Sequence, residues 1–184
     1  MHPLLYNSMT NRQAALLVCA SALTSAWVAG TVWAGQPQWW LPAVFAALFY
    51  PPLAINAVID ARHHVLLKNW THLAGLIAVL AFVAAGAPWP NLLIGAAIAL
   101  PMLAVSIFTR GRLMGMGDAR LIAVASLWNS IWDPRGALVM VCVSFALHVF
   151  YVLGRSLVAH VTLRSRHALG PWLVAGSFLA FTLA

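Results

Sequence analysis

Three aspartates, Asp60, Asp118 and Asp133, are the whole acidic complement of this chain, which has no glutamate. Two carboxylates brought together disfavour double ionisation, so the pair can share one proton. The ionised member can then take a proton from water while the protonated member hydrogen-bonds a scissile carbonyl. That is peptide hydrolysis without a metal or a covalent intermediate. Asp118 lies in Gly115-Met116-Gly117-Asp118-Ala119-Arg120-Leu121. Gly115 and Gly117 would let another helix or an extended substrate approach the backbone closely. The competing reading makes Asp118 a helix cap paired with Arg110, Arg112 or Arg120, and Asp60 a boundary residue paired with Arg62. His63, His64 and His72 lack a carboxylate or cysteine at ligand spacing, so no metal and no cofactor are expected. On a continued helix His64 would share the face of Asp60. Cys19 and Cys142 lie in apolar runs without ligand spacing. No serine has the setting of a membrane serine protease.

The elements that must position these carboxylates follow from composition. Of 184 residues, 63% are hydrophobic and 7% charged, against about 25% charged in a soluble domain. Bilayer is the solvent that such a chain requires. Apolar runs continue to the last residue, which excludes reading the N-terminus as a lone secretory signal. Candidate spans are 14–34, 41–59, 70–86, 91–108, 119–132, 136–154 and 169–184. The fold expected is all-α: a polytopic transmembrane bundle of six to seven spans, as a single domain over 1–184. Pro51-Pro52 and Pro101 interrupt spans as kinks that neighbouring helices tolerate.

The net charge of +7 does not gather on one face or in a tail, so nucleic-acid binding is not expected. It reads instead as orientation. Arg12, Arg62, Lys68, Arg110, Arg112, Arg120, Arg155, Arg164 and Arg166 all fall on one side of the predicted topology. The positive-inside rule makes that side, and the N-terminus, cytoplasmic. Trp33, Trp39, Trp40, Trp89 and Trp132 flank the opposite boundary as an aromatic belt. Asp60 and Asp118 therefore share the cytoplasmic side. Asp133 falls on the far side, in a turn with Arg135.

Three segments in order resemble the type IV prepilin peptidases. Gly115 to Leu121 is similar to their G-x-G-D-x-K-L signature, with Arg120 in place of Lys. Ile59-Asp60-Ala61-Arg62 through Leu66-Leu67-Lys68-Asn69 resembles their first aspartate segment, without its proline. Leu169-Gly170-Pro171-Trp172-Leu173-Val174-Ala175-Gly176 resembles their G-P-F-L-x-x-G segment. The resemblance implies a GxGD intramembrane aspartic endopeptidase of the bacterial inner membrane, with Asp60 and Asp118 as its catalytic pair. It would remove the basic leader of prepilins or pseudopilins at the cytoplasmic face, alongside pilus or secretion assembly machinery. No cysteine tetrad accompanies it, so the chain resembles the short, peptidase-only branch that serves tight-adherence pili, without a methyltransferase domain. Arg110, Arg112 and Arg120 are then possible substrate contacts. Two alternatives stay open: a small proton- or cation-coupled transporter, which predicts carboxylates near mid-bilayer, and a catalytically inactive pilus-assembly component.

Overall fold

In lipid every backbone N–H and C=O must be satisfied within the protein, so apolar runs become helices. The computed structural model describes residues 9–159 and 168–184, and regular structure among them is helical. Seven helices follow in order: α1 Asn11–Val32, α2 Trp40–His63, α3 Lys68–Ala84, α4 Trp89–Phe108, α5 Met116–Trp132, α6 Gly136–Ala159 and α7 Gly170–Thr182. By length and composition α1, α2, α4 and α6 can each cross a membrane. α3 and α5 have 17 residues each and α7 has 13. Arg164 and Arg166, two of the predicted cytoplasmic charges, lie outside the described residues.

Thr10 starts α1 with a reciprocal cap. Its hydroxyl accepts from the Gln13 N–H at 3.2 Å, and its own N–H donates to the Gln13 side chain at 3.0 Å. α2 runs through Pro51 and Pro52 without a break. It also continues past residue 59, the predicted end of its span, so that Asp60 occupies its last turn. α5 begins at Met116 rather than 119, which places Asp118 inside the first turn.

The core is aromatic and joins α2, α5 and α7. The Phe49 ring stacks on Trp128 at 4.2 Å between centroids and 10° between planes. The Trp128 indole N–H donates to the Tyr50 hydroxyl at 3.1 Å, and that hydroxyl donates to the Ser177 carbonyl at 3.2 Å. Asn129 Nδ2 donates to Ser177 Oγ at 2.9 Å. Phe49 lies eleven residues before Asp60, and Trp128 ten residues after Asp118. At about 1.5 Å of rise per residue, each aspartate stands roughly 15–17 Å along its helix from the shared stack. The stack therefore sets the two carboxylates at one level.

Candidate active site

Asp60 is 5% exposed, near the end of α2. The chain reverses immediately after it. His64 takes the left-handed conformation at φ 53° and donates its N–H to the Asp60 carbonyl at 2.8 Å. A left-handed turn without glycine costs about 1–2 kcal/mol, so something must hold the following loop. Asn56, fully buried one turn before Asp60, does this. Its Oδ1 accepts the Leu67 N–H at 2.8 Å, and its Nδ2 donates to the Leu67 carbonyl at 3.3 Å and to Thr71 Oγ1 at 3.0 Å. Asn69, which stands near the missing proline of the sequence motif, is exposed. The loop is thus held from α2 by Asn56.

Asp118 is brought in from the other side. Leaving α4, Arg110 at φ 51° and Gly111 at φ 75° form a left-handed turn. Ser106 fastens the next segment, its hydroxyl donating to the Met114 carbonyl at 3.0 Å. Gly115 is the N-cap of α5 and Asp118 its third residue. So Asp118 does not cap the helix, and none of Arg110, Arg112 and Arg120 forms an ion pair with it among the described residues.

Leu66 is the wedge between the two halves. A Cβ on Gly117 would stand 2.9 Å from Leu66 Cβ, and one on Gly170 would stand 3.0 Å from Leu66 Cδ2. Both glycines are therefore required by close approach. Gly115 plays a different part, because a Cβ there would meet the Asp118 carboxylate at 3.1 Å. Gly170 also contributes directly: its N–H donates to Asp60 Oδ2 at 2.9 Å.

The result is one cavity of about 590 Å³ lined by both Asp60 and Asp118, with His64, Arg110, Arg112, Gly115 and Leu169 among its walls. Arg120 is exposed and is not part of this lining. Asp118, ahead of the apolar stretch of α5, is pushed up to about 6, first by burial and then by the charge of Asp60. Such a group holds a proton in mildly acidic water and can donate it. Asp133 is elsewhere, at the C-cap of α5. Its Oδ1 accepts the backbone N–H of Arg135 at 3.0 Å. The expected pairing of these two residues is thus made through the main chain of a turn. Among the described residues no three His, Cys, Asp or Glu side chains gather as metal ligands.

Sequence reasoning paired the two aspartates and the two glycines of the Asp118 motif, but gave no role to Leu66 or Asn56. A lone amide in an apolar run was the available signal for Asn56, since a polar group there must find partners. Gly170 was visible as part of a motif, whereas its bond to Asp60 was not.

No curated protein and no solved structure matches the chain. The family model for type IV leader peptidases does match, over residues 47–153. That stretch is more than half of the 184 residues and carries Asp60, Asp118 and most of the cavity wall. A polytopic helical chain whose cavity is built mostly within the matched region thus belongs to the type IV leader peptidase family.

Proposed function

We propose that this peptidase is of the aspartic type, with Asp60 and Asp118 as the catalytic pair. The observation that carries the reading is that two carboxylates from separate helices line one cavity. One ionised and one protonated carboxyl can activate a water and polarise a peptide carbonyl together. The substrate is a prepilin or pseudopilin, cut between its basic leader and its apolar helix. An apolar groove of about 420 Å³ between α1, α2 and α7 supports this reading. Ala57, on its wall, precedes Asp60 by one helical turn, and Pro171, also on its wall, follows Gly170. A substrate helix lying in this groove would present its end to the carboxylates.

The cavity opens at the cytoplasmic face of a bacterial inner membrane, with the N-terminus inside. Support for this comes from Arg110 and Arg112 at the cavity, under the positive-inside rule. Arg110 and Arg112 also face the substrate, and contact an acidic residue of the pilin. The chain acts as one peptidase domain over 1–184, of the short branch serving tight-adherence pili and their assembly machinery.

Co-expression with a candidate prepilin, read by the gel shift of leader removal, tests the activity. Full processing by wild type with none by Asp60→Asn or Asp118→Asn supports the reading. Processing by either variant at matched protein level overturns it. Reporter fusions at Lys68 and Arg112 that read opposite sides of the membrane would overturn the placement.

A further inference from the structure

Asp118 lies in the first turn of α5, whereas Asp60 lies in the last turn of α2 and faces the first residue of α7. The helix dipoles therefore do not assign the charge to Asp60. Hydrogen bonding does. Asp60 Oδ2 accepts the Gly170 N–H at 2.9 Å. Leu169, the N-cap of α7, makes no side-chain cap bond, and Pro171 has no N–H to offer. Asp60 thus serves as the cap acceptor of α7 from another part of the chain. A bond of this kind favours the ionised carboxylate. Asp118 accepts no hydrogen bond among the described residues. The other charged or titratable groups on the cavity wall are His64, Arg110 and Arg112, and they line the one cavity that holds both carboxyls.

We infer that, when the pair holds a single proton, the negative charge resides on Asp60 and the proton on Asp118, with the Gly170 amide as the positioning group. The inference rests on the aspartic reading above and assigns its two roles. Water attacks the scissile carbonyl carbon and gives a proton to Asp60. The carbonyl π electrons move onto oxygen, which takes the proton of Asp118, and a geminal diol forms. One diol hydroxyl then returns its proton to Asp118 as the carbonyl re-forms. The C–N bond breaks, and its electron pair on nitrogen takes the proton from Asp60. A carboxylic acid and an amine leave, with Asp60 again charged and Asp118 again protonated. Burial acts on both carboxyls, and Asp60 is the less exposed of the two, so the assignment rests on the Gly170 bond.

The composition makes the test clean. With three aspartates and no glutamate, carboxyl side-chain bands in the infrared have few sources. The full chain, carrying ¹³C-aspartate in nanodiscs, is titrated while the protonated-carboxyl stretch is followed. At about pH 5, above the ordinary carboxylate range, wild type should show one such band. Asp118→Asn should lose it. Asp60→Asn should keep it, with a midpoint at lower pH because the neighbouring charge has gone. A band that survives in Asp118→Asn and disappears in Asp60→Asn overturns the assignment, as does its absence from wild type.

Gly170→Ala tests the positioning role, since its Cβ would stand 2.7 Å from Asp60 Oδ2. The acidic limb of the cleavage rate against pH should move to higher pH, by about half a pH unit or more. An unmoved limb, with only the maximum lowered, removes Gly170 from the proposal. Wild type that shows the expected spectra but cleaves no prepilin overturns the peptidase reading and leaves the charge assignment standing.

Discussion

The two ends of the α2–α5 pair are built from opposite materials. Toward the tryptophan end, large rings fill the space: Phe49 on Trp128, Trp128 edge-on to Trp132 at 5.3 Å, and Phe181 against both. At the carboxylate end the contacts are small. Two glycines accept Leu66, one asparagine holds a loop, and a cavity of about 590 Å³ remains between them. Aromatic packing brings a large buried area and defined geometry, so the closed end fixes the level at which the helices meet. The open end then holds its polar groups around space for a peptide. A site of this kind needs rigidity at a distance and room nearby.

If the difference is real, substitutions at the two ends should fail in different ways. The largest effect is chemical. Asp60→Asn and Asp118→Asn should each abolish leader cleavage in an otherwise folded protein. The double variant should be no worse than either single one, since groups acting as a unit are non-additive. Asp133→Asn should cleave at near wild-type rate, because Asp133 serves only its own turn. Loss of cleavage in Asp133→Asn would break the comparison at its root.

The next effect belongs to the closed end. Trp128→Ala removes a fully buried ring and the donor to Tyr50. It should cost about 3–5 kcal/mol, measured by denaturant unfolding in bicelles. Whatever fraction remains folded should retain the carboxylates but lose their common level. A cost below about 1 kcal/mol would mean that the aromatic stack does not anchor the bundle.

Asn56→Ala sharpens the comparison from the other side. It strands the Leu67 N–H in a buried setting, while the Leu67 carbonyl keeps Thr71 as a donor, and this costs about 1–3 kcal/mol. Because Leu66 adjoins this bond, cleavage should fall further than the stability loss predicts. Equal losses in Asn56→Ala and in a matched core truncation would show that the loop has no special part in the site.

The smallest effect concerns pH. Asp118 in the folded protein is raised from its ordinary value to about 6. Its stabilising contribution is therefore complete below about pH 4 and is lost as pH rises through 6. At pH 7.5 the wild type carries the cost of a half-buried charge, about 1–2 kcal/mol after allowance for solvent screening. Asp118→Asn does not titrate. Its unfolding midpoint should exceed that of wild type at pH 7.5 and match it at pH 4. A difference that is the same at both pH values would show that Asp118 is not perturbed.

Most of this arrangement was legible as local pattern. Apolar runs announced the helices, and the lack of glutamate singled out the aspartates. The Gly115-to-Leu121 segment named one half of the site. What stayed hidden was set by distance along the chain. Nothing near Leu66 says that it will sit against Gly117 and Gly170, because that contact depends on how three helices pack. The ends of α2 and α5 were misplaced by one turn for a related reason. Hydropathy marks where apolar character stops, whereas a helix continues while its backbone bonds can be made. Here they continue far enough to carry both carboxylates.

The donor that holds Asp60 lies 110 residues further along the chain. A membrane protein is made from its N-terminus, at about 5–20 residues per second. Asp60 therefore enters the bilayer several seconds before the amide that will hold it has been synthesised. Through that interval α2 and α5 can find each other by their rings while the carboxylate is still unclasped. The docking of α7 supplies the clasp, so a helix made well after both aspartates completes the proposed pair. A chain made only as far as α6 would carry both aspartates and still lack the amide that holds Asp60.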